Sequence, residues 1–463
     1  MNMRALISAI AFALTGAGSC ASVQSNSNAI AIEHVTVLSM APNAAPAQDC
    51  TIIIENGRIS AIGPSRRVHP PRGAQIIDGR GKFLMPGLAD MHTHPENITM
   101  VREFTGNPDL PDGAYPTEDV FLPWLANGVT QVLNMSANSD SIAQRDAIES
   151  GAALGPHMAL APMVDGTPRL WAFATEAATP EAGVAFVRQA HEAGYDFIKV
   201  YSQLDPSTFT AIVSEARALN MRVIGHLPGR EQDQPERFLQ PDFVMVAHAE
   251  EFAYQPAHIA EAQARIPAFT QLARESGIWL TATLTVNERI VEQARDFSTV
   301  AARPELRFLN PITRAVWLHG NPYKDETGRL APYVEQVVAF NRALVRSFYE
   351  AGVPILPGTD SPLPGLAPGF SLHDELEAMA RAGMSNIAVL EAATRRSAEF
   401  LGVQGDRGTV AAGKRADLLL LDANPLADVA NTRRIAAVFI NGRYLSAEEL
   451  HARMEALALR NAD

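Results

Sequence analysis

Six side chains of metal-ligand type stand at or just past the ends of short apolar runs in this chain. His92 and His94 close the stretch Leu84-Met85-Pro86-Gly87-Leu88-Ala89-Asp90-Met91. Alternate residues of a strand share a face, so the two imidazoles can hold one metal ion without any bend in the backbone. Lys199 lies in Asp196-Phe197-Ile198-Lys199-Val200-Tyr201. His226 ends Val223-Ile224-Gly225, and His248 ends Val244-Met245-Val246-Ala247. Asp360 follows Ile355-Leu356-Pro357-Gly358-Thr359. Taken singly, each has an ordinary alternative. His-x-His is often a surface pair, a lone histidine is often structural, and a strand lysine usually snorkels at an edge. An aspartate past a strand often caps a helix or fills a turn. Together they describe a metal site assembled from the ends of many strands, which a parallel barrel can provide.

The chemistry of each type supports that grouping. A buried, unpaired ammonium at Lys199 would be costly. Carboxylation by carbon dioxide would make it an anionic oxygen ligand able to bridge two metals. Asp360 over the barrel mouth can bind metal and take a proton from bound water. The chain holds two cysteines, Cys20 and Cys50, so a cysteine-based zinc site is excluded and the ligands must be His, carboxylate or modified Lys.

Eight apolar runs are the strands that must position these residues: 85–92, 130–135, 158–162, 197–201, 222–226, 243–248, 279–283 and 353–359. Amphipathic stretches at 180–193, 206–219 and 333–351 alternate with them. Eight strands alternating with helices predict a (β/α)8 TIM barrel rather than an open sheet. The connections at 95–116 and 284–330 are long and fall on the catalytic face, which makes them candidate lids. Before the barrel lie β-rich segments at 31–40, 51–55 with 58–62, and 75–78, with Asn56-Gly57 placed for a hairpin tip. After it, 416–422 and 438–443 return to strand chemistry. The expected α/β fold is therefore a barrel (84–404) with a small β-sandwich made from both terminal segments (30–83 and 405–450). Residues 451–463 read as a tail.

Apolar residues make up 47% and charged residues 19%, as in an ordinary folded protein. The net charge is −13 and no basic cluster stands out, which argues against a nucleic-acid partner. Arg4 followed by the small and apolar stretch 5–18 reads as an export leader, with cleavage after Ala21. Gly18-Ser19-Cys20 is an imperfect lipoprotein box, so a membrane anchor arises only if Cys20 is lipidated. The Ser/Asn-rich 22–29 then reads as a tether. Processing leaves Cys50 alone, and homo-oligomerisation stays open.

The set resembles the amidohydrolase superfamily of metal-dependent hydrolases. The likeness rests on Pro86-Gly87-Leu88-Ala89-Asp90-Met91-His92-Thr93-His94, Lys199, His226, His248 and Gly358-Thr359-Asp360. It continues through Glu391-Ala392-Ala393-Thr394 and the segment 408–417. Leu372-His373-Asp374-Glu375-Leu376-Glu377 is similar to the imidazolonepropionase-like branch that includes Xaa-Pro and other Xaa-amino-acid dipeptidases. The resemblance implies two divalent ions, Zn2+ by ligand type, with His92, His94 and Asp360 on one, His226 and His248 on the other, and carboxylated Lys199 bridging. It implies attack by a hydroxide between the metals, with Asp360 as general base and then acid. The expected substrate is a small amide, a dipeptide or an N-acyl amino acid. The alternatives are a cyclic amidase or a carbamate, lactone or xenobiotic hydrolase, and, outside catalysis, a metal-binding barrel relative.

Tyr201 shares a strand face with Lys199 and could touch a substrate carbonyl or carboxylate; packing is the alternative. His157 should sit at the amino end of the third strand, away from the chemistry. The resemblance places His373 in the loop beside the site, against a helix-start cap as the ordinary reading. Arg145 and Arg169 are candidate partners for a substrate carboxylate, and Glu250-Glu251 read as solvated loop carboxylates without a role.

Overall fold

The computed structural model describes residues 29–229, 234–254, 256 and 258–462. The leader, the tether and Cys20 lie outside them. Among the described residues no helix is long and apolar enough to cross a membrane.

Both terminal segments enter one eight-stranded sheet. Ile30–Val37 pairs antiparallel with Ala47–Glu55, which continues into Arg58–Pro64. Phe83–Pro86 carries the sheet across to the C-terminal strand Leu418–Leu421, antiparallel and in register from Pro86 opposite Leu418. Ile435–Ile440 and Arg443–Ser446 complete it. Asn56-Gly57 and Asn441-Gly442 all have positive φ, the geometry of the two-residue hairpin turn. Ile32, Val35, Ile52 and Ile54 from one terminus share a core with Leu418, Leu420 and Phe439 from the other. That shared burial explains why segments so distant in sequence fold together.

The barrel strands are Leu88–Thr93, Val129–Asn134, His157–Leu160, Phe197–Val200, Arg222–Gly225, Phe243–Ala247, Trp279–Thr281 and Ile355–Leu356, first to eighth in chain order. Neighbours pair in parallel. Two strands depart from the runs in the sequence, and proline is the reason in both. The third strand breaks at Ala161-Pro162 and resumes as Met163–Asp165; its first half pairs with the second strand and its second half with the fourth. The eighth strand is short because Pro354 and Pro357 cannot donate to a ladder. The barrel closes there through single bonds: Met91 N donates to Pro357 O, and Asp360 N to His92 O at 2.8 Å.

The outer helices follow local rules. Pro180–Ala193 has Thr179 as N-cap, proline in its first turn and left-handed Gly194 at its end. Pro206–Ala218 is capped by Asp205, which accepts from Ser207 N and Thr208 N. The expected tail is instead the helix Ala447–Arg460, capped by Ser446 and burying Leu450, Met454 and Leu457. Met454 and Leu457 pack on Leu122, and Arg460 pairs with Asp119 at 2.5 Å.

His157 sits at the amino end of the barrel, between the barrel and the terminal sheet. Its Nδ1 lies 2.5 Å from Glu149 Oε1 and its Nε2 3.1 Å from Asp417 Oδ2. Burial disfavours its charge, but bonds to Asp417 and Glu149 outweigh that and raise its pKa. The same His157 bond, partly opposed by burial, holds Glu149 down to about 2. Glu149 therefore stabilises the fold above its ordinary 4.5 and loses that contribution as pH falls toward 2. His157 contributes fully below its ordinary 6.5 and loses the contribution as pH rises through its raised value. His157→Gln should cost about 1–2 kcal/mol near pH 5–6, allowing for solvent screening at Glu149. The cost should shrink at pH 3 and at pH 9. Urea midpoints across that range check it, and a cost independent of pH would contradict it.

Candidate metal centre

Five strands bring ligand-type side chains to the carboxyl end of the barrel. His92 lies in the first strand and His94 one residue past it; Lys199 lies in the fourth. His226 and His248 directly follow the fifth and sixth, and Asp360 lies beyond the eighth. Two glycines make the approach of these strands possible. A Cβ at Gly225 would lie 2.1 Å from Val200 O and 3.1 Å from Lys199 Cδ. A Cβ at Gly358 would lie 2.6 Å from His92 Cβ. His248, Thr283 and Asp360 all have left-handed backbone, at φ 74°, 45° and 59°. Such non-glycine conformations persist where surrounding contacts over-determine them, and they cluster at sites.

His92 Nε2 is 3.3 Å and His94 Nε2 2.9 Å from Asp360 Oδ1. The ligand atoms of this trio all lie within 4.8 Å of one another, close enough to hold one cation. The other candidates adjoin it. The His92 and His248 ring centroids are 4.4 Å apart, those of His226 and His248 4.8 Å. Tyr201 lies against His226 at 4.0 Å, and Lys199 Nζ is 5.8 Å from the Tyr201 ring centre.

Outer partners fix the ring orientations. His94 Nδ1 meets Ser136 Oγ at 2.8 Å, and His248 Nδ1 meets Thr283 Oγ1 at 2.9 Å. His226 Nδ1 lies 3.1 Å from Ser202 Oγ and 2.8 Å from Glu251 Oε1. Holding Nδ1 leaves Nε2 to face the centre. His92 Nδ1 and Nε2, His226 Nε2 and Lys199 Nζ are buried without any hydrogen-bond partner among the described residues. Buried polar atoms are almost always paired, so this cluster of orphans fits a site completed by cations.

The charges agree. Burial, reinforced by the charge on Lys199, holds His92 and His226 well below their usual pKa; burial takes His248 to about 3. All three are neutral at neutral pH, the form that ligates. Burial pushes Lys199 down to about 8 against the pull of Asp360 and Glu251. At Asp360 burial is outweighed by the His94 bond and the nearby positive charges, so its pKa lies well below the usual carboxylate range.

Residues 83–445 match the Amidohydrolase family. The chain belongs to the amidohydrolase family. Over 81 residues this amidohydrolase is 35% identical to the 5'-deoxyadenosine deaminase of Methanosarcina acetivorans, covering 18% of each chain. Over 48 residues it is 48% identical to the imidazolonepropionase of Rubrobacter xylanophilus, covering 10% of this chain and 12% of that one. The matched stretches thus span less than a fifth of these relatives. In fold, the amidohydrolase is similar to a Xaa-Pro dipeptidase with bound methionine in the active site, with TM-score 0.68 and 20% identity over 90% of this chain and all of that one.

The amidohydrolase's centre lines a cavity of about 120 Å³. Its wall comes largely from the two long connections. The first holds the helix Ile98–Thr105, which supplies Met100 and Phe104; the second holds Pro311–His319, which supplies Ile312 and Trp317. The expected lids are therefore folded helical walls. Trp171 and Phe173 stack at 5.6 Å on another side, and Trp171 Nε1 donates to Tyr201 Oη at 2.8 Å.

Several side chains lie elsewhere than the sequence reading placed them. His373 is not in a loop beside the site, and although it lies in the first turn of a helix it does not cap it. It sits inside the helix Phe370–Arg381, buried outside the cavity, with Nδ1 2.8 Å from Thr432 Oγ1. Arg145 bonds Gly194 O and Arg169 bonds Ala174 O; neither lines the cavity. Glu250 and Glu251 are buried rather than solvated. The left-handed turn at His248 folds them back beneath the site, where Glu251 Oε2 also accepts from Leu227 N at 2.9 Å. Glu375, also missed, accepts from Leu284 N and Thr285 N and clamps the turn that carries Thr283. The apolar Leu372 and Leu376 around Glu375 signalled a buried helix face, but not what its carboxylate meets. Glu251→Gln should weaken metal affinity about 10- to 100-fold, as loss of an outer-shell partner does. Zinc titration of the apoprotein checks this, and unchanged affinity would leave Glu251 a structural residue.

Proposed function

We propose that this chain is an exported, binuclear metal-dependent hydrolase that cleaves the amide bond of dipeptides or N-acyl amino acids. The observation that carries the reading is the cluster of orphaned buried donors beside Asp360, lining one cavity. His92, His94 and Asp360 would hold one ion, and His226 and His248 the other, with carboxylated Lys199 between. Imidazole and oxygen ligands suit zinc. Bound there, such ions polarise a carbonyl and make water acidic near neutral pH. Family membership and the dipeptidase, imidazolonepropionase and deaminase relatives support chemistry at a carbon–nitrogen bond.

Three residues of this chain then do the following. Asp360 is ionised at any working pH, accepts the proton of the attacking water, and returns it to the leaving nitrogen. Burial lowers the Lys199 pKa to about 8, so its neutral amine is far more accessible than that of an ordinary lysine. Its neutral amine adds to carbon dioxide, forming the N–C bond and releasing one proton. Tyr201 accepts from Trp171 and keeps its own O–H for a substrate carbonyl.

The zinc-loaded protein should release free amine from dipeptides or acyl amino acids in a mixed screen that also holds lactones and adenosine derivatives. Turnover confined to the lactones or to deamination would contradict the amide reading. Export is part of the same proposal, and mass spectrometry of protein from its natural host should find the leader missing. A retained Met1 would refute it.

A further inference from the structure

We propose that Glu96, Thr313 and Tyr115 form a subsite in the cavity wall for the protonated amine of the substrate's acyl half. This rests on the hydrolase reading and separates its two substrate classes, because a dipeptide carries that amine and an N-acyl amino acid does not.

Glu96 lies two residues past His94, and Tyr115 ends the short turn Asp112–Ala114 of the same connection. Thr313 comes from the helix Pro311–His319 of the other long connection. All three line the cavity that holds the metal centre. Thr313 Oγ1 donates to Glu96 Oε1. Tyr115 is 7% exposed. Burial and then a charge on Glu96 disfavour ionisation of Tyr115, while the Thr313 hydroxyl favours it, as expected for three groups facing one corner.

The corner therefore offers the Glu96 carboxylate and the Tyr115 phenol oxygen as acceptors, with the Tyr115 and Thr313 hydroxyls as its donors. A carboxylate accepts and cannot donate. An ionised Glu96 would repel a substrate carboxylate and attract an ammonium. An ammonium brings three N–H groups, one for Glu96 Oε2 and one for Tyr115 Oη, and charge-assisted bonds of this kind are the strong ones. Phe104, Trp171 and Phe173 stand on the same cavity's wall, which favours an aromatic side chain on the residue bearing that amine.

The test compares phenylalanyl-leucine with its des-amino isostere, 3-phenylpropionyl-leucine, on zinc-loaded protein. kcat/KM should favour the free amine about 30-fold. Glu96→Gln should shrink that ratio below about threefold, and Tyr115→Phe, which keeps the packing ring, should reduce it about fivefold. Phenethylamine should raise the Tm of the wild type and not of Glu96→Gln. Equal kcat/KM for the two substrates, or a ratio that survives Glu96→Gln, would overturn the subsite. If neither compound is hydrolysed while phenethylamine still shifts the wild type alone, the subsite stands and the hydrolase reading falls.

Discussion

Asp360→Asn should lower kcat by about a thousandfold or more, with KM changed only a few-fold at saturating zinc. The substitution keeps the shape of the side chain and removes its charge. Asp360 Oδ1 lies within 3.3 Å of both His92 Nε2 and His94 Nε2, so the carboxylate is placed to serve as ligand and proton carrier at once. General base and acid steps contribute roughly 10²- to 10⁴-fold, and an amide side chain supplies neither. The buried loop should survive the change, since Asp360 N, which donates to His92 O, is unaffected. Steady-state kinetics with metal analysis and circular dichroism on the same sample check this. A folded, metal-loaded variant with kcat within tenfold of the wild type would remove Asp360 from proton transfer.

Lys199→Ala should be comparably damaging by a different route. Zinc content should fall from about two ions per chain to about one, and activity by at least about a hundredfold. Lys199 is fully buried and its Nζ has no hydrogen-bond partner among the described residues, so its wild-type ammonium has only the charges of Asp360 and Glu251 and the Tyr201 ring to stabilise it. As a carbamate it would become the bridging anion. Added short carboxylic acids should restore part of the activity and the second metal. Near-normal turnover with one tightly bound ion would move the reading toward a mononuclear, imidazolonepropionase-like hydrolase.

The ligand-type residues were legible in the sequence because each ends or follows an apolar run, and strand ends must gather at one face of a parallel barrel. Lys199, His226 and His248 needed only that rule. The terminal sheet was legible from Asn56-Gly57 and from the apolar run at 418–421. The supports of the site were not. Glu251 reaches His226 only because His248 turns with φ 74°, and no pattern of residue types announces that turn in a histidine. The partners Ser136, Ser202 and Thr283 are common residues in loops whose paths depend on tertiary packing. His373 was misplaced because resemblance located a motif, not the face of its helix. The last helix was legible and overlooked: Leu450, Met454 and Leu457 recur at helical spacing.

The most direct test of the account is anomalous scattering at the zinc edge from crystals of the zinc-loaded protein. Two ions should appear about 3.5–4 Å apart, one beside His92, His94 and Asp360, the other beside His226 and His248, with density for a carboxylated Lys199 between them. A single ion on His92, His94 and Asp360, with an unmodified Lys199 amine, would contradict the binuclear mechanism.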